Sequence, residues 1–105
     1  MELSNFTYEQ LERMVMQWGT NKGIIPANDP KPQLLKFFEE AGELASACAK
    51  GDSEAEKDAL GDVLVTLILY SAIQDKSLTA CLESAYKIIA LRTGVMKNGV
   101  FIKDV

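Results

Sequence analysis

Residues 57–70 read K-D-A-L-G-D-V-L-V-T-L-I-L-Y, and this stretch decides the fold. Wound at about 100° per residue, positions 63–70 send apolar side chains in every direction around the axis, the pattern of a helix covered on all sides. Asp52-Ser53 marks its start, where S-E-A-E reads as a capping box, and the pattern runs to about Gln74. The longest apolar run, Val63 to Ile73, is broken by Thr66 and Ser71, and it falls short of the ~20 residues a membrane span needs.

Working outward, three more helices can be read, each with a single apolar stripe. The first starts at Thr7, where T-Y-E-Q is a capping box, and carries Tyr8, Leu11, Met14, Val15 and Trp18 at helical spacing until Gly19 ends it. Residues 19–32 form a long loop holding all three prolines, a length uncommon for a segment without a task. Asp29-Pro30 supplies an N-cap and first-turn pair for the second helix, which extends to Lys50 with Gly51 as its left-handed stop. Its wide apolar face is Leu34, Phe37, Phe38, Ala41, Leu44, Ala45 and Cys48, with Lys36, Glu39, Glu40, Glu43 and Lys50 opposite. The fourth helix starts near Ser77, carries Leu78, Cys81, Leu82, Ala85, Ile88 and Ile89, and ends at Gly94. Asn98-Gly99, between apolar residues, signals a short hairpin or ordered arm. The reading is one all-α domain over residues 1–105: a four-helix bundle with a C-terminal hairpin or arm. Three one-striped helices cannot surround the third, so the bundle is expected to be completed by oligomerisation.

Composition narrows the chemistry. The chain has 105 residues, 48% hydrophobic and 25% charged, with a net charge of −4 and no histidine. The missing histidine excludes Ser-His-Asp and Cys-His catalysis and any imidazole-dependent zinc site. A net negative chain without a basic stretch is a poor match for gripping nucleic acid directly, and a helix-turn-helix reader is disfavoured on the same ground. Cys48 and Cys81 sit on apolar stripes and read as small buried hydrophobes in a reducing cytosol. The polar, acidic beginning M-E-L-S-N-F-T-Y-E-Q-L-E-R does not read as a signal peptide, so the expected location is the cytoplasm, bacterial or that of a phage-infected host.

The acids form a pattern. Glu39, Glu40 and Glu43 fall within about a 100° arc of the second helix, with Lys36 inside it. On its own such an arc is an ordinary solvated face. Asp62, however, stands at the mouth of the all-apolar stretch, with Asp58 one turn before it and Thr66 one turn after, and no cation on that stripe to pair with it. An unpaired carboxylate beside an apolar helix is costly, and a hard dication held by carboxylates removes that cost. Gly42 and Gly61 directly precede Glu43 and Asp62; mid-helix glycines cost about 1 kcal/mol relative to alanine, and they are expected to let the two helices approach closely.

The stretches L-L-K-F-F-E-E-A-G-E-L-A (34–45), K-D-A-L-G-D-V-L-V-T-L (57–67) and R-T-G-V-M-K-N-G-V-F-I-K (92–103) resemble the MazG-like family of nucleotide pyrophosphohydrolases, in its short, phage-type, single-domain form. The likeness runs from about Trp18 to Lys103. It implies an all-α fold, Mg²⁺ (with Mn²⁺ as an alternative ion) held by an E-E-x-x-E motif and a later E-x-x-D motif, and assembly as a homodimer or dimer of dimers. It also implies cleavage of (d)NTP to (d)NMP and pyrophosphate. Glu39, Glu40 and Glu43 match the first motif; Asp62 matches the last position of the second. Ala59 stands where that motif has Glu, and Asp58, one residue earlier, is the candidate substitute. The implied metal set is therefore Glu39, Glu40, Glu43, Asp58 and Asp62, with Glu39 orienting or deprotonating a water. Lys36, Arg92, Lys97 and Lys103 are candidate phosphate contacts, with Asn98 and Thr66 beside them. Trp18 and Tyr86 are candidates to stack on a base, core packing being their competing role. The runner-up function is a non-catalytic helical interaction module that kept the fold.

Overall fold

The computed structural model describes residues 5–105. It contains four helices, α1 (Tyr8–Asn21), α2 (Lys31–Lys50), α3 (Ser53–Ile73) and α4 (Leu78–Ile89), followed by an antiparallel hairpin of β1 (Gly94–Lys97) and β2 (Val100–Lys103). The reading of the chain's first residues as a polar, leaderless start falls partly on residues 1–4, outside the described residues. No described helix is long and apolar enough to cross a membrane.

Each boundary has a local cause. Thr7 makes the expected capping box: the Gln10 N–H donates to its hydroxyl at 3.1 Å, and its own N–H donates to Gln10 Oε1 at 2.8 Å. Gly19 does not end α1. The helix continues to Asn21 and Gly19 is buried, because a Cβ there would lie 2.5 Å from Leu69 Cδ2 and 3.2 Å from Ile25 Cδ1. The first helical residue of α2 is Lys31, one later than expected; Pro30 is the cap position, and Asp29 accepts from the Lys31 N–H at 3.0 Å. Gly51 is left-handed (φ 67°) and turns the chain directly into α3. There Asp52 is the cap, accepting from the Ala55 N–H at 3.1 Å, so the S-E-A-E box is not the device used. Ser77 caps α4. That helix stops at Ile89, five residues before the expected Gly94, which instead opens β1. Asn98 (φ 52°) and Gly99 (φ 80°) are both left-handed, as a two-residue hairpin turn with strand-matched twist requires.

The helices α2 and α3 form the main contact, α1 packs on α3, and α4 touches α3 lightly. The buried apolar core is small: Ala47, Ala59, Ile68 and Leu69. Only part of the all-apolar stretch is covered. Ile68 and Leu69 are buried with Thr66, while Leu64 stays exposed. No residue of α4 is buried. Cys48 and Cys81 are exposed, contrary to the sequence reading, because the stripes carrying them have nothing packed over them in the single chain.

Candidate metal centre

The orientation of α2 defines the site. Its two buried residues are Glu40 and Ala47, which lie on the stripe that includes Lys36 and Glu43. Two of its large apolar side chains point the other way: Leu35 is 70% and Phe38 62% exposed. The inward side of α2 is therefore mixed: buried Glu40 and Ala47 are flanked by half-buried Leu34, Phe37, Ala41 and Leu44, while Phe38, Ala45 and Cys48 of the expected apolar face stay exposed. Half-buried Phe37 packs edge to face on exposed Phe38, with ring centroids 5.2 Å apart.

The carboxylates of Glu39, Glu40 and Glu43 each present an oxygen within 4.8 Å of the others. Lys36 Nζ lies 3.3 Å from Glu39 Oε1 and 4.0 Å from Glu40 Oε1. Glu40 Oε2 is buried and has no hydrogen-bond partner. Burial pushes the Glu40 carboxyl above its ordinary value of 4.5. The hydrogen bond that a protonated Glu40 shares with Glu43 raises it further, as do the negative charges of Glu43 and Asp62, while Lys36 pulls it down. A buried, unpartnered oxygen among like charges is an energetic liability that a hard cation removes, and an all-carboxylate donor set is what Mg²⁺ or Mn²⁺ takes. The residues present therefore fit such an ion.

The α3 acids occupy different places from the glutamates. Asp62 is close enough to bear on Glu40. Neither it nor Asp58 joins a cluster as tight as the three glutamates among the described residues. Asp62 is exposed, so the buried, unpaired carboxylate is Glu40 and not Asp62 as the sequence suggested. Two cavities flank the acids. One, of about 330 Å³, is lined by Glu43, Asp58, Ala59 and Asp62, so Asp58 does reach the groove on the side of Ala59. The other, of about 490 Å³, is lined by Lys36, Glu40, Asp62, Thr66 and Trp18, and also by Ile24, Pro32 and Gln33. Gly42 and Gly61 do not serve the helix approach, since a Cβ on either would meet nothing within 4 Å. Ala47 and Ala59, both buried, are the small residues inside the pair.

Of the candidate substrate contacts, Lys36, Trp18 and Thr66 line the larger cavity, and Trp18 is 48% exposed, not core. The Thr66 hydroxyl donates to Val63 O at 2.7 Å. Tyr86, Arg92, Lys97, Asn98 and Lys103 line neither cavity beside the acids. Sequence reasoning missed Gln33 and Ile24. Gln33 was recoverable, one turn before Lys36 on the stripe that carries the acids; Ile24 was not, since only loop geometry brings it there.

A family model described as the MazG nucleotide pyrophosphohydrolase domain matches residues 29–91. This chain belongs to the MazG family. The matched segment holds α2, α3 and α4, and hence every acid of the groove; α1 and the hairpin lie outside it. The chain is also 33% identical over 61 residues to an uncharacterized 18.2 kDa protein in the rep-hol intergenic region of Haemophilus phage HP1. That likeness covers 58% of this chain and 37% of the phage protein. No solved structure matches. Within the matched segment Ala59 is buried, and Asp58 beside it lines the smaller cavity with Glu43 and Asp62.

Proposed function

We propose that the chain is a Mg²⁺-dependent nucleoside triphosphate pyrophosphohydrolase, converting (d)NTP to (d)NMP and pyrophosphate. The observation that carries this reading is the orphaned, buried Glu40 Oε2 inside a three-glutamate cluster turned toward α3. Glu40, Glu43 and Asp62 would hold the ion, with Glu39 and Asp58 completing the set. When bound, the ion supplies positive charge between acidic protein and acidic substrate and makes a nearby water more acidic. Glu39, exposed and paired with Lys36, is placed to orient or deprotonate that water. Lys36 contributes a cation beside the phosphates, and Trp18 offers an aromatic face to the base.

The reading includes a homodimer or a dimer of dimers. The single chain exposes 8066 Å², against about 5,800 Å² for a folded monomer of its mass. Its radius of gyration is 16.3 Å, against about 13 Å for a compact domain of this length. Leu35, Phe38, Leu82 and Tyr86 are among the large apolar side chains left uncovered. A second copy would cover them, and a hairpin reaching across would bring Lys97 or Lys103 to the neighbour's phosphates. A solution mass showing a folded monomer at micromolar concentration would overturn the assembly.

The test of the activity is a panel of NTPs and dNTPs with and without Mg²⁺, scored separately for pyrophosphate and orthophosphate. Pyrophosphate that appears only with the ion is the expected result; orthophosphate release, or no release, refutes the reading. Ala59 supports the alternative of a helical module without chemistry. Millimolar Mg²⁺ raises the melting temperature of the enzyme and leaves that module unaffected.

A further inference from the structure

We propose that Gln33 discriminates between nucleobases, an inference that rests on the nucleotide reading above and adds which part of the cavity selects the base. The cavity of about 490 Å³ combines acids and Lys36 with an apolar wall that includes Trp18, Val65 and Leu69. Its volume lies within the roughly 300–1,000 Å³ usual for small-molecule sites. Such a lining suits a ligand with a flat ring at one end and phosphates at the other. The apolar wall binds any base through its face. Telling bases apart takes a group that presents a donor and an acceptor side by side to the ring edge.

Only one side chain lining this cavity does so with both functions free. Ionised Glu40 and Asp62 only accept, while Lys36 and the Trp18 indole only donate. The Thr66 hydroxyl proton is committed to Val63 O. The Ile24 and Ile25 N–H groups of the adjoining loop both donate to Gly19 O. The chain has four glutamines. Gln10 accepts from the Thr7 N–H, Gln17 donates to Asn21, and Gln74 donates to Tyr70 O. Gln33 alone makes no side-chain hydrogen bond among the described residues, and it is half-buried at the cavity wall. It precedes Glu40 by two helical turns, about 10 Å along the axis, which leaves room for a sugar and its first phosphate between base reader and acids.

The experiment compares wild type with Gln33→Leu and Gln33→Glu, each checked for helicity. One arm measures kcat/KM for the four bases as triphosphates with Mg²⁺. The other follows fluorescence of the sole tryptophan, Trp18, during titration with the four nucleoside monophosphates without metal. In Gln33→Leu the ratio between best and worst base is expected to fall by roughly tenfold or more in both arms. Gln33→Glu, which keeps an acceptor and loses the donor, is expected to reorder the bases. A ratio preserved in both variants, or a wild-type tryptophan signal indifferent to every nucleotide, overturns the inference. Base-dependent binding that needs Gln33, in a protein that hydrolyses nothing, supports the inference and refutes the hydrolase; hydrolysis with unchanged base ratios does the reverse.

Discussion

Among the described residues two carboxylates are buried to nearly the same degree, and their surroundings are opposite. Glu12, on α1, reaches the start of α4, where it accepts from Ser77 Oγ at 3.1 Å, the Thr79 N–H at 3.0 Å and Thr79 Oγ1 at 2.8 Å. Glu40, on α2, has one buried oxygen with no partner and two acids nearby. The first is a completed structural joint, a negative charge placed at a helix N-terminus where exposed N–H groups need acceptors. The second is incomplete without a ligand. Burial alone therefore does not mark a functional carboxylate; unsatisfied burial among like charges does.

The comparison breaks most sharply through activity. Glu43→Gln keeps the side chain's shape and removes one charge from the cluster, so turnover is expected to fall at least about a hundredfold while helicity is retained. Near-normal turnover, measured as pyrophosphate release, would remove Glu43 from the site. The equivalent change at Glu12 acts on stability instead. Glu12→Ala strands the Ser77 and Thr79 donors and is expected to cost about 2–3 kcal/mol in chemical denaturation, with α4 the first element to lose amide protection. If α4 protection is unchanged, the joint is ornamental.

Glu40→Gln carries the opposite sign. In metal-free protein it is expected to raise the melting temperature, because it removes the repulsion, and to abolish further stabilisation by Mg²⁺. The pH dependence follows from the raised Glu40 value. The folded state holds that proton more tightly than the unfolded state, so metal-free stability is lost as pH climbs from the ordinary carboxylate value of 4.5 through the raised one. The stability gap between Glu40→Gln and wild type should therefore widen across that window, and Mg²⁺ binding should release protons within it. A gap that is flat with pH would place the origin of the shift elsewhere. The smallest effect is expected at Gly42 and Gly61. Alanine at either enters open space and should stabilise the helix by about 1 kcal/mol; a loss would mean that a neighbouring copy closes on that face.

What the sequence determined by itself was local. The Thr7 box, the Gly51 stop, the Asn98-Gly99 turn, the order of helices and the angular grouping of Glu39, Glu40 and Glu43 all follow from interactions spanning a few residues, so spacing along the chain suffices to read them. Helix ends moved where a long-range contact competed with a local signal: Gly19 breaks nothing because Leu69 and Ile25 need the space beside it. The direction in which α2 turns was decided only by tertiary structure. Periodicity places Glu40 and Phe38 on opposite sides of a helix, but it does not say which side meets a neighbour. Hydrophobic burial, the usual arbiter, would have put Phe38 inward; in the single chain Glu40 lies inward, and Phe38 remains on the surface. α2 packs on α3 with the small residues Ala47 and Ala59 buried, and that orientation decides which carboxylate is buried, which is exposed, and that Gln33 and Trp18 share a cavity with them.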